Sequence, residues 1–237
     1  MIRRIGTLAI VAGLGVLAWT GTVYVWKDPF TAAYTAYQQR KLDGALERTF
    51  EEWRTAAPRA TEEPRNQKAP TPNTSEPPQR RELRPAVLRR EASRFAAATS
   101  PGDAIARLEI DRLDLDVVVV DGTDAGNLRK GPGRHLETAM PGAGELVYIA
   151  GHRTTYGAPF SRIDQLARGD AIVLELPYAS IEYEVTSSRI VDQYEISVLE
   201  SRGREELVLQ ACHPRFFSSH RYLVYAKPVH VYARQAA

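Results

Sequence analysis

Apolar side chains follow three different rhythms along this chain, and each rhythm predicts a different kind of element. Residues 5 to 26, IGTLAIVAGLGVLAWTGTVYVW, are 22 residues without a charged side chain. That is about the length needed to cross a bilayer core of roughly 30 Å. The next stretch, DPFTAAYTAYQQRKLDGALERTFEEWRTA, places Phe30, Tyr34, Tyr37, Leu42, Leu46, Phe50 and Trp53 close to helical spacing, which predicts a juxtamembrane helix over 27–56. From about residue 103 the rhythm shortens to strand period. In IEYEVTS, Ile181, Tyr183 and Val185 alternate with Glu182, Glu184 and Thr186. ARLEIDRLDL, DVVVVDGT, ELVYIAGH, AIVLEL, ELVLQAC and RYLVYAKPVHVYA read the same way. Helical room is left only near 125–130 and 159–167. Seven or eight short strands in this space predict a mainly β closed barrel or sandwich over 101–237.

Between the helix and the strands, residues 57 to 100 hold 7 of the chain's 15 prolines and nine basic against five acidic side chains. Such text buries too little to offset the entropy of ordering, so it reads as a basic, mostly disordered linker. On this division the β unit folds without residues 1 to 100. The formal net charge of +2 conceals a basic linker and a β unit with 15 basic and 19 acidic side chains. That pattern carries no nucleic-acid footprint.

Arg3 and Arg4 precede the apolar segment. Positive charge there favours a cytoplasmic tail over residues 1–4, a transmembrane signal-anchor over 5–26, and an extracellular remainder. A cleaved signal peptide with Thr31-Ala32-Ala33 as its small-residue site is the competing reading, and it exports the domain as well.

Export changes the meaning of Cys212, the only cysteine. Exported proteins use cysteine mainly as disulfides, and a lone thiol makes no intrachain bridge. It is then a buried core residue, an intermolecular link or a reactive group. On ELVLQAC, Leu207, Leu209 and Ala211 share one face, and Val208, Gln210 and Cys212 the other. Gln210 makes the thiol's face partly polar, while His213 and Pro214 end the strand there.

A nucleophilic thiol needs a base or a cation beside it, since a free thiol has a pKa of about 8.5. His213 is adjacent, but neighbours along a strand point to opposite faces. His152, in IAGHRTTYGAPF at the end of another strand, is the stronger candidate. Arg221, nine residues after the thiol, opens the next strand, where a guanidinium can meet an oxyanion. His135, His220 and His230 have less specific surroundings.

AGHRTTYGAPF, then L-x-x-C-H-P at a strand end, then arginine nine residues on, resembles the sortase family of cell-wall transpeptidases, and most closely its class E members. The similarity covers about 103–237, and GPGRHLETAMPGAGELVYIAGHRTTYGAPF is its most specific part. Where many sortases read T-L-x-T-C, this chain has Val208, Leu209, Gln210 and Ala211 before Cys212.

The resemblance implies an eight-stranded β-barrel and a triad of His152, Cys212 and Arg221. It implies cleavage of the Thr–Gly bond in a C-terminal LPXTG- or LAXTG-type sorting signal of a surface protein. The acyl group then passes to an amine of a peptidoglycan precursor or a pilin. No cofactor or metal is expected; some relatives bind calcium, but acids such as Asp121 and Asp124 are scattered here. A hydrolytic cysteine peptidase and an inert tethered β-module with a structural cysteine are the alternatives.

Overall fold

The computed structural model describes residues 2–26, 29–56 and 82–234. Helix α1 spans Ile2–Trp26 and α2 spans Pro29–Ala56. By length and composition α1 is able to cross a membrane, and its side chains from Arg4 to Gly21 are exposed. Most of the linker read over 57–100 lies outside the described residues, but its last part does not fit that reading. Residues Pro85–Ala98 form helix α3. Proline at the helix start sets φ without losing a needed N–H, and Leu88, Ala92 and Phe95 form a buried stripe.

The strands are β1 Ala104–Ile110, β2 Leu115–Asp121, β3 Gly133–Arg134, β4 Leu146–Ala150, β5 Ala171–Glu175, β6 Ala179–Asp192, β7 Glu206–His213 and β8 His220–Ala233. They close into a barrel in the order β1-β2-β3-β4-β7-β8-β6-β5. Pairs β2–β3 and β4–β7 are parallel and the others antiparallel. The expected mainly β, closed eight-stranded barrel is therefore present. The two-residue β3 is the strand that no apolar run announced. Its Gly133 passes so close to the Gly122 carbonyl that a Cβ would overlap it. Arg134 beside it pairs with Asp121 inside the protein at 2.6 Å. A short α4, Ala125–Leu128, follows Asp124, whose carboxylate caps it through the N–H groups of Gly126 and Asn127.

Strand alternation fills the interior. Ile181, Tyr183 and Val185 of β6 face Ile172 and Leu174 of β5 and Leu207, Leu209 and Ala211 of β7 in one cluster. Each Ile, Leu or Val among them contributes about 1.5–3 kcal/mol on leaving water. Leu88, Ala92 and Phe95 belong to this same cluster, with Trp53 of α2 packed against it. The barrel core thus extends into α3, against the expectation that residues before 101 contribute nothing. Outside the barrel, Leu42, Leu46 and Phe50 of α2 cover Ala104, Val118 and Val120. Gln39 extends the edge pairing there: its Nε2 donates to the carbonyls of Val118 (3.1 Å) and Lys130 (2.9 Å), and the Val118 N–H donates to its Oε1 at 2.7 Å.

Candidate active site

Three neighbouring strands deliver the three proposed residues to one end of the barrel. β7 and β8 are antiparallel, and their register opposes Cys212 to Arg221. β4 runs parallel to β7 with Ala150 opposite Gln210, and the Gly151 N–H continues the ladder to the Gln210 carbonyl at 2.9 Å. β4 ends at Ala150, so His152, two residues on, and Cys212 stand at the same end of the barrel. Both are partly exposed.

The loop after β4 is shaped by close approach and by backbone in the left-handed region. The Phe160 ring lies where a Cβ on Gly151 would sit, 2.6 Å away at its nearest atom. Tyr156, Gly157 and Ala158 have φ of 51°, 72° and 45°, a run that disfavours L side chains other than glycine. The Phe160 N–H closes the loop on the His152 carbonyl at 3.1 Å. His152 Nδ1 lies 3.5 Å from Thr155 Oγ1, and its ring lies 5.0 Å from that of Tyr156 between centroids. Tyr156 is held from behind by α2: its N–H donates to Thr31 Oγ1 at 2.9 Å, and Tyr34 meets its ring edge-on. Burial, and then the Arg129 guanidinium, hold the His152 pKa below its ordinary value.

Alternation on β7 is as expected. Leu207, Leu209 and Ala211 face the core, while Val208 joins Tyr148 and Leu223 in a separate cluster on the other side. β7 runs one residue past the thiol, to His213, which opposes His220. His213 lies near the Tyr222 ring and binds Arg153 through Nδ1 at 2.9 Å. Its pKa is lowered by what burial it has and by Arg153. Arg221 Nη1 donates to the carbonyls of Ser218 (2.7 Å) and His220 (3.0 Å), which turns this cation onto the β7–β8 loop. That loop exposes Phe216 and Phe217, and the β6–β7 connection exposes Tyr194 and Ile196. The Gln193 N–H bonds the Ser219 carbonyl, so the two connections meet at this end.

Of the remaining histidines, His135 lies edge-on to Tyr148 and His230 is stacked on Tyr232, while His220 stands at the rim opposite His213 with its ring against Ser219. Among the described residues no group of three or more His, Cys, Asp or Glu side chains is gathered for a metal. Two site neighbours carried no role in the sequence reading, Arg153 and Tyr156. Both stood in the quoted AGHRTTYGAPF, but only the register and the α2 contact reveal what they touch.

The Sortase domain family model matches residues 108–229. Sortase D of Bacillus subtilis (strain 168) is 33% identical over 132 residues, covering 54% of this chain and 65% of that protein. Sortase E1 of Streptomyces coelicolor is 32% identical over 152 residues, covering 57% and 43%. The chain thus spans less than two thirds of either relative's length. Among solved structures, Streptomyces coelicolor sortase E1 with a tripeptide in its active site has a TM-score of 0.53 at 31% identity, covering 57% of this chain and 94% of that one. A Clostridium perfringens sortase D5 transpeptidase has a TM-score of 0.54 at 27% identity, covering 59% and 88%. The likeness to class E members stands, and it is shared with sortases of the D type. With the family model, the relatives and the barrel in agreement, this chain belongs to the sortase family.

Proposed function

We propose that the chain is a membrane-anchored cysteine transpeptidase with Cys212 as nucleophile, His152 as general acid and base, and Arg221 as oxyanion partner. The observation that carries this reading is the convergence of β4, β7 and β8, which brings the ends bearing these side chains to one rim. The Cys212 thiolate attacks the carbonyl carbon of the Thr–Gly bond in a sorting signal. The His152 imidazolium then protonates the departing glycine amine, leaving a thioester on Sγ. An amine of a peptidoglycan precursor or pilin attacks that thioester, His152 takes its proton, and the thiol is restored. Arg221 stabilises the negative oxygen formed at each addition once it leaves the Ser218 and His220 carbonyls. Exposed Phe216, Phe217, Tyr194 and Ile196 supply apolar surface for the side chains of an LPXTG- or LAXTG-type peptide. Helix α1 is the anchor, with the N-terminus cytoplasmic and the barrel outside.

Burial, and then the Arg129 guanidinium, hold the His152 pKa below its ordinary value, which disfavours the charged ring. The test is to incubate the full chain in detergent with LPXTG and LAXTG peptides and weigh the protein. An acyl adduct that Cys212→Ala cannot form, and that an added amine converts to an amide, supports the proposal. Free acid as the sole product, with amine present, makes the chain a hydrolytic peptidase. No adduct and no cleavage with either peptide overturns both.

A further inference from the structure

We propose that Arg153 is a positioning residue for the transfer reaction, clamping the thiol's strand to the His152 loop and withholding His213 from proton transfer. This rests on the reading of Cys212 and His152 given above. Arg153 is only 4% exposed. Its Nη1 donates to the Cys212 carbonyl at 3.3 Å and to His213 Nδ1 at 2.9 Å, and its Nη2 pairs with Asp164 at 2.9 Å. The guanidinium lies 5.7 Å from the Tyr222 ring centroid, and its buried Nε has no partner.

The β4–β7 register explains why this side chain arrives there. If His152 stands level with Cys212, Arg153 stands level with His213, and alternation sends the two pairs to opposite faces. One face then carries thiol and imidazole, and the other carries a cation that fastens both backbones together. Because Arg153 follows His152 in the chain and bonds the carbonyl of Cys212, it limits how far the two reacting groups can separate. Displacement of a reacting group by about 1 Å is enough to cost about 100-fold in rate.

The same bond selects the working histidine. A guanidinium has donors only, so His213 Nδ1 must present its lone pair, which leaves the ring neutral with its proton on Nε2. Protonating Nδ1 would set two donors against each other beside a full positive charge. His213 faces Arg153 from the loop after β4, Asp164 from the 3-10 turn at Ile163–Gln165, and His220 and Tyr222 from β8. Of these only Asp164 favours a charged ring, and Arg153 already pairs with it.

The test compares the full chain in detergent with Arg153→Met, Arg153→Lys, Asp164→Asn, and Arg153→Met combined with His213→Ala. Cys212→Ala and His152→Ala serve as controls. The readouts are kcat and KM for thioester formation on a sorting-signal peptide across pH, and the ring ¹⁵N shifts of His213. Arg153→Met is expected to lower kcat about 10- to 100-fold, with KM within about twofold. It is also expected to raise the His213 pKa toward its ordinary value, because Arg153 is the second cause, after burial, that lowers it. A new acid limb in the rate profile should follow that titration and vanish in the double variant. Lysine is a point charge without the fork, so Arg153→Lys should not restore the rate.

A folded Arg153→Met with unchanged kcat and unchanged His213 shifts overturns the proposal, as does full rescue by lysine. If Arg153→Met does not fold, Asp164→Asn decides. The exposed Asp164 holds the clamp from outside, and its loss should lower kcat severalfold and loosen the His213 tautomer; no change in either sinks the idea. Activity surviving in Cys212→Ala or His152→Ala would instead bring down the underlying assignment.

Discussion

The two ends of β7 are both tied to a neighbouring loop, but by opposite means. At its start the Glu205 carboxylate accepts the N–H groups of Gly142 and Gly144, each at 2.6 Å, and the Tyr183 hydroxyl at 2.8 Å. Tyr178 donates to Pro141 in the same loop, and Leu88 of α3 covers Gly142 so closely that no Cβ would fit. At its finish, Cys212 and His213 are partly exposed, Arg153 keeps an unpartnered Nε, and Tyr156, Ala158 and Phe216 hold positive φ. One end has its hydrogen bonds satisfied and an apolar cover. The other keeps strain and one unused donor, as functional sites commonly do. Substitutions at the rim should therefore change rate with little loss of fold, and substitutions at the base should do the reverse.

The widest separation is expected from the reacting groups. Cys212→Ala should abolish thioacyl formation. His152→Ala should cost at least about two decades in rate, the usual scale for a general acid–base group. Both should melt within a few degrees of the parent protein. His213→Ala should do far less to the rate. Peptide cleavage and iodoacetamide labelling across pH, with circular dichroism for folding, check all three. A folded but inactive His213→Ala beside a nearly normal His152→Ala would reverse the assignment.

Next in size is the base and its cover. Phe95 is 3% exposed and packs edge-on to Trp53, with ring centroids 5.3 Å apart, and at 5.5 Å from Tyr178. Phe95→Ala should cost about 3–5 kcal/mol by creating a cavity. A chain beginning near Ser100 should be far less stable than one beginning at Glu82. Urea midpoints compare the pair, and equal midpoints would show that α3 is dispensable. Glu205→Ala comes after, at about 1–3 kcal/mol for donors left without an acceptor. The folded fraction should keep its kcat.

How far these features could be read from sequence depends on whether they are local. The alternation of Ile181, Tyr183 and Val185, and of Leu207, Leu209 and Ala211, is visible wherever a strand has one buried face. Cys212 opposite Arg221 also follows from a hairpin, given the loop length. What could not be read is pairing between strands distant in sequence. The parallel β4–β7 register, which brings the ends of these two strands together, has no local signal, and neither does a two-residue strand defined by its partners. Helix α3 was hidden differently. Leu88, Ala92 and Phe95 already stand at helical spacing, but Arg84, Arg89, Arg90 and Arg94 around them gave the segment a linker's composition.

The smallest expected effect is on the pH dependence of stability, where the two ends should respond in opposite senses. Burial is the first cause lowering the pKa of both His152 and His213 in the folded protein. A depressed value means that the unfolded chain takes up the proton first. Their contribution is therefore present above about pH 6.5 and lost as pH falls through the lowered values. Glu205 is raised, chiefly by burial, against hydrogen bonds from Gly142, Tyr183 and Gly144 that lower it. Its contribution is present below about pH 4.5 and lost as pH rises through the raised value. Urea midpoints from pH 4 to 8 should therefore show the gap between the parent and His213→Ala narrowing toward acid. The gap between the parent and Glu205→Gln should narrow toward neutrality. Both gaps narrowing in the same direction would mean that the two ends of β7 do not differ in the way their hydrogen bonding requires.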